Sequence, residues 1–75
     1  MKCHCLERDT DEQGIFDACD PSEAAEMFAS REDNRGRERA VRTVVVSWQE
    51  RDHRLSETYQ ITAQLVRQYR ATRVA

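Results

Sequence analysis

The sequence is poor in proline, glycine and aromatic residues. Of its 75 residues, 1 is proline, 2 are glycine and 7% are aromatic. So few proline and glycine residues argue against a long disordered linker. A chain of this length forms one small core, which leaves little space for a catalytic cleft that buries a large cofactor. We therefore expect one domain over residues 1–75 and no cofactor.

Long apolar runs are absent as well. The valine run Val44–Val46 is far shorter than the ~18 residues that a membrane-spanning helix needs. The first residues, Met1–Glu7, lack the apolar core of a secretion signal. The sequence therefore predicts no membrane contact and a cytoplasmic location.

The clearest local pattern predicts a helix over residues 21–33. Asp20 suits the N-cap, Pro21 the first helical position, and Glu23 the third residue after the cap. An apolar stripe follows at helical spacing, while Ser22, Glu26 and Asp33 are predicted to point away from it. The stripe consists of Ala24, Ala25, Phe28 and Ala29, with Met27 at its edge.

Strand patterns lie on both sides of this helix. Residues 3–8 and 15–19 are predicted to form a hairpin in which Leu6 faces Phe16 and His4 faces Ala18, with Gly14 ending the turn. Residues 40–50 are rich in β-branched side chains, as a central strand is. Residues 55–65 alternate after a polar turn at 49–54 and are expected to turn Leu55, Tyr59, Ile61, Ala63 and Leu65 inward.

These elements predict an α+β fold, with one helix on a small antiparallel sheet. The element order is β-β-α-β-β, and residues 67–74, with Tyr69 and Ala71 at strand spacing, are a candidate for an extra edge strand at the C-terminus. Because such an edge exposes unpaired backbone groups, a second copy of the chain is one candidate partner.

Cysteine and histidine allow two interpretations. Cys3, His4 and Cys5 are adjacent, and the predicted hairpin places Cys3 opposite Cys19; with His53, these residues have the chemistry of a zinc site. A Cys-x-Cys sequence without a second paired motif is weak evidence, however, and 3 cysteines cannot all pair in disulfides. We expect reduced thiols and no metal.

No motif indicates catalysis. Neither histidine lies in a pattern that marks an activated nucleophile. The glycines Gly14 and Gly36 are isolated, so no glycine-rich phosphate loop is present. The sequence predicts that the protein is not an enzyme.

Charge is divided unevenly along the chain. Residues 1–33 hold ten acids and three bases, a net charge of −7, whereas residues 34–75 hold nine arginines and four acids, a net charge of +5. An acidic surface can bind lysines and arginines that otherwise hold nucleic acid, or it can serve solubility alone. The candidate partner-binding residues are Asp9, Asp11, Glu12, Asp17, Asp20, Glu23 and Glu26.

The arginines support an alternative function. Arginines near aromatic side chains bind phosphates and stack on bases. The pI of about 5.6 argues against such a module, and arginine stems that cover a thin core explain the pattern as well. The candidate nucleic-acid-binding residues are Arg35, Arg37, Arg39, Arg42, Arg67, Arg70 and Arg73.

Three segments resemble small α+β proteins of phages and prophages, a group that includes anti-CRISPR proteins. They are Phe16–Ala18 with the helix Asp20–Ala29, the valine strand, and the ending Tyr59–Ile61 with Tyr69–Ala71. The resemblance implies a non-catalytic inhibitor in the cytoplasm of a bacterial host. It would occupy a surface of a CRISPR–Cas effector, and some acidic members of the group imitate DNA. A different protein-binding role and nucleic-acid binding are the alternatives.

Overall fold

The computed structural model describes residues 1–63 and 69–74. Its strands are β1 (Lys2–Glu7), β2 (Gln13–Asp17), β3 (Val41–Glu50), β4 (His53–Ala63) and β5 (Tyr69–Val74), and its helix is α1 (Pro21–Asn34). The strands form one antiparallel sheet in the order β2-β1-β3-β4-β5. The predicted α+β class is confirmed. The candidate edge strand is β5, so the element order is β-β-α-β-β-β.

Helix α1 forms as its sequence predicts. Asp20 is the N-cap, and Pro21 is the first helical residue, where its missing N–H costs no hydrogen bond. The stripe of Ala24, Ala25, Phe28 and Ala29 is buried against the sheet. Within the described residues, no helix has the length and apolar character to cross a membrane.

The core lies between α1 and one face of the sheet. Small α1 side chains let the helix approach Val44 and Val46 of β3 and Tyr59 and Ile61 of β4. Phe16, Trp48, Tyr69 and Ala71 are half-buried at its margin. Leu55, predicted to point inward, is 38% exposed because it lies at the end of the sheet beside the β3–β4 turn. Leu65 lies outside the described residues.

The predicted register of the first hairpin is wrong. Cys3 pairs with Phe16 and Cys5 with Gly14, so the pairing is shifted by three residues from the prediction. Asp11, with a φ of 60°, takes the left-handed turn position expected of glycine, and the chain reverses before Gly14. An odd shift exchanges the faces of a strand. Cys3, Cys5 and Glu7 therefore point into the core in place of the residues predicted there.

The second hairpin reverses more tightly than predicted. Glu50 pairs with His53, so β3 and β4 extend through most of the predicted turn at 49–54. Arg51, with a φ of 56°, provides the left-handed backbone of this turn.

No described element covers the sheet face opposite α1, which we call the open face. Strand alternation and pairing assign to it the following strand residues: Lys2, His4, Leu6, Gln13, Ile15, Asp17, Val41, Thr43, Val45, Ser47, Gln49, Arg54, Ser56, Thr58, Gln60, Thr62, Arg70, Thr72 and Val74.

Candidate functional site

Four of the predicted partner-binding acids lie between the end of β2 and the second turn of α1. We call Asp17, Asp20, Glu23 and Glu26 the helix-start acids. The Asp20 carboxylate accepts the backbone N–H of Glu23 at 2.8 Å and the Ser22 hydroxyl at 2.7 Å. The hydrogen bond from Ser22 contributes most to lowering the pKa of Asp20, followed by that from Glu23. Asp20 is therefore ionised at neutral pH and exposed to solvent.

The helix-start acids have almost no positively charged neighbours. Glu23 accepts the backbone N–H of Cys19 at 3.4 Å, and Glu26 accepts that of Ala71 at 3.0 Å. Asp17 lies 3.3 Å from the N-terminal ammonium, and 90% of its side chain is exposed. Within the described residues, no arginine or lysine forms an ion pair with any of the four. Their negative charge is therefore available to a partner.

Glu26 also protects an edge of the sheet. Its hydrogen bond to Ala71 satisfies a backbone N–H of β5, the last strand of the sheet. A second copy that paired along β5 would have to replace this bond. The homodimer stays a prediction.

The other three predicted acids lie at the opposite end of β1. Asp9, Asp11 and Glu12 belong to the β1–β2 turn, and Asp11 and Glu12 lie roughly 17–20 Å from Asp17 along β2 at the usual rise of a strand. Asp9 lies 3.4 Å from Arg39, and Glu12 lies 2.8 Å from Arg37. The seven acids therefore form two groups rather than the single face expected from the sequence, and arginines compensate much of the charge of the second group.

Arg42 is buried and contributes to no surface of the protein. Its side chain is 2% exposed, with Nη1 2.6 Å from Glu7 Oε1 and Nη2 2.9 Å from Asp33 Oδ1. The Arg37 carbonyl accepts a further hydrogen bond from it. The prediction that Arg42 contacts nucleic acid is wrong, because the buried carboxylates enclose its guanidinium.

The neighbouring arginines also point to the protein's own carboxylates. Arg37 lies 3.1 Å from Glu32, and Arg35 lies 3.5 Å from the same side chain. Arg39 lies 2.8 Å from Glu7. Of the remaining candidates, Arg73 pairs with Glu57 at 2.9 Å, Arg70 is exposed on the open face, and Arg67 lies outside the described residues. Arg35, Arg37 and Arg39 thus neutralise carboxylates of the protein itself.

Sequence reasoning missed the carboxylates that these arginines contact. Glu7, Glu32 and Asp33 are buried. The burial of two of them could have been predicted from their positions. Glu7 follows Cys5 on the same strand face, and Glu32 lies one helical turn beyond Phe28. Asp33, predicted to point outward, turns inward to meet Arg42 and the Tyr69 hydroxyl, which donates to it. We call Glu7, Asp33 and Arg42 the buried ion-pair cluster.

The cysteines and histidines are separated by the fold. Cys3 and Cys5 are buried in the core, whereas Cys19 is exposed. His4 lies on the open face beside Gln13, 2.8 Å between Nε2 and Oε1, and His53 begins β4. Residues 1–63 and 69–74 contain no group of three or more potential ligands that could hold a metal ion.

We predict that Cys19 alone reacts rapidly with iodoacetamide. Burial raises the pKa of Cys5 to about 12, with the negative charge of a neighbouring Cys3 thiolate as the second cause. Burial also raises the pKa of Cys3. Because the thiolate is the reactive form, mass spectrometry should find a single fast label on the folded protein and labels on all three cysteines after unfolding. Rapid labelling of Cys3 or Cys5 in the folded protein would contradict this assignment.

Comparison of the chain with protein-family models, curated proteins and solved structures finds no match.

Proposed function

We propose that this protein is a non-catalytic inhibitor that binds another protein through its helix-start acids. The observation that carries the proposal is the uneven compensation of charge. Two of the three acids of the β1–β2 turn are paired with arginines, whereas those at the start of α1 accept bonds from backbone N–H groups, a hydroxyl and, at Asp17, the N-terminal ammonium. Carboxylates without an arginine or lysine partner, on a short, capped segment, form a negative surface that is fixed before binding, which favours steered association.

The partner we propose is a protein surface whose lysines and arginines otherwise hold nucleic acid. Carboxylates form strong charge-assisted hydrogen bonds with arginine, so such a surface can accept the helix-start acids in place of phosphates. A CRISPR–Cas effector is the first candidate, because the sequence resembles anti-CRISPR proteins of phages. The protein would then act as a DNA mimic in the bacterial cytoplasm and block target-DNA binding by the effector.

The alternative, nucleic-acid binding through Arg35, Arg37 and Arg39, has less support. Each of these arginines lies within 3.5 Å of a carboxylate oxygen of the protein itself. A phosphate would have to displace that carboxylate, and the displaced carboxylates, Glu7 and Glu32, are buried, so that each would lose part of its counter-charge.

A pair of charge-neutralising variants tests the proposal. The partner is first isolated by pull-down from a nuclease-treated bacterial lysate and identified by mass spectrometry. Asp17→Asn with Glu23→Gln removes two negative charges while keeping a side-chain oxygen at each position. We expect association with the partner to slow by on the order of tenfold at low salt, with a smaller change at high salt.

The matched control is Glu50→Gln with Asp52→Asn. It removes the same charge from exposed residues of the β3–β4 turn, so association should change little. The wild-type protein should also inhibit DNA binding by a CRISPR–Cas effector at a one-to-one ratio in a gel-shift assay. Equal slowing by the two double variants would contradict the assigned surface. Recovery of nucleic acid alone, without a protein partner or inhibition, would reject the function.

A further inference from the structure

The open face carries more positive than negative side chains. Arg54 and Arg70 lie on its strands, as does Lys2, and the β1–β2 turn begins with Arg8. Within the described part of the chain, none of these four forms an ion pair. The acid assigned to this face, Asp17, lies at its corner, opposite Lys2 in the β1–β2 pairing, and its ion pair is with the N-terminal ammonium. The open face is therefore positive, in contrast to the ends of the fold where the acids lie.

Two shallow hollows bring these cations beside other groups. The larger hollow, about 560 Å³, contains Lys2 and Arg54 and is also lined by Met1, His4, Ile15, Ser47, Trp48 and Gln49. The smaller, about 450 Å³, is lined by Arg8, Ser56, Thr58 and Val74, together with the ion pair of Arg73 and Glu57. The larger hollow thus combines an apolar wall, hydrogen-bonding side chains and two cations. Its volume is in the range of small-molecule sites.

We propose that the open face binds single-stranded nucleic acid, with one nucleotide in the larger hollow. A base would pack on the apolar wall formed by Met1 and Ile15, while Lys2 and Arg54 would contact the flanking phosphates. Ser47 and Gln49 offer hydrogen bonds to base or sugar. Arg8, beside the second hollow, continues the positive surface toward a neighbouring phosphate. Contacts of this kind favour binding without strong sequence preference.

Charge and shape together favour this occupant over an acidic protein segment. Acidic peptides match the cations, but the mixed apolar and polar lining of the larger hollow also matches a planar base with its sugar. The inference goes beyond the proposed function, because it concerns the cations of the sheet and a different kind of ligand. Either can fail while the other holds.

The test uses the whole chain and a fluorescent oligothymidylate in anisotropy titrations over a range of salt concentrations. Lys2→Gln with Arg54→Gln should weaken binding roughly 25-fold at about 0.1 M salt, the effect of losing two phosphate contacts to a single strand. The slope of log affinity against log salt should fall by about 1.4. Both residues are exposed, so the melting temperature should be unchanged.

The matched control is Arg35→Gln with Arg51→Gln. It also removes two positive charges, but from positions outside the open face. Arg51 borders a separate depression with Glu50, His53 and Leu55. This variant should bind like the wild-type protein. Absence of wild-type binding at low salt, or an equal loss in the two double variants, would overturn the proposal. Equally tight binding of a polyglutamate peptide would overturn the choice of nucleic acid as the ligand.

Discussion

Replacing Phe28 with alanine is expected to lower the free energy of unfolding by about 3–5 kcal/mol. Phe28 is completely buried between α1 and the sheet. Its ring meets that of Phe16 edge-on, with 6.2 Å between the ring centroids, and the Arg31 guanidinium lies 5.4 Å from its centroid. Its surroundings are mostly alanine and β-branched residues, which are too short to fill the cavity that the substitution leaves.

Urea denaturation monitored by Trp48 fluorescence measures this loss. A small domain has a free energy of unfolding of about 5–15 kcal/mol at most, so Phe28→Ala should unfold at a much lower urea concentration. The control is Met27→Ala on the adjacent, exposed position of α1, which should change the midpoint little. Similar midpoints for the two variants would show that Phe28 does not hold the helix on the sheet.

Replacing Arg42 with methionine is also expected to cost about 3–5 kcal/mol. The substitution keeps most of the side-chain volume but leaves Glu7 and Asp33 buried without their shared guanidinium. Removing one partner of a buried ion pair is costly because the remaining charge stays desolvated. The control is Arg73→Met, which breaks an ion pair on the surface. It should have a far smaller effect, because solvent and salt screen such a pair.

A compensated variant separates charge from shape in this experiment. Replacing Glu7 and Asp33 with leucine in the Arg42→Met protein removes the two buried carboxylates, and it should recover much of the lost stability. An Arg42→Met protein as stable as Arg73→Met would mean that the buried ion-pair cluster contributes little. Failure of the leucine variant to recover stability would assign the loss to packing around Arg42 rather than to charge.

Local sequence patterns predicted the helix and the strands, whereas contacts between distant residues determined the strand register and the ion pairs. The N-cap at Asp20 and the stripe ending in Ala29 depend on neighbours within a few residues, so α1 was predictable almost to its ends. The register of the first hairpin was not, because both Asp11 and Gly14 can end a turn, and the position that adopts a positive φ decides which face of β1 is buried.

The ion pairs could not be predicted from the sequence for a different reason. Glu7 and Arg42 are separated by 35 positions, and Arg42 and Asp33 by 9. Charge sums alone show that acids lie early and arginines late, but not that the two sets meet. The sequence therefore predicted competing acidic and basic surfaces, whereas the fold joins Arg35, Arg37, Arg39 and Arg42 to the protein's own carboxylates. Among the described residues, the helix-start acids pair with none of these arginines, because α1 begins at the other end of β1.

The buried ion-pair cluster restricts how this sequence can change over generations. Replacing Arg42 lowers the stability of the fold, because Glu7 and Asp33 both lose their ion pair with it. No single second replacement restores that stability, since the two carboxylates lie on different elements. A substitution route from this cluster to an apolar core thus passes through less stable intermediates. Positions 7, 33 and 42 should consequently covary among homologous chains, so that all three are charged or all three are apolar. The neighbouring arginines that reach solvent should vary independently of them.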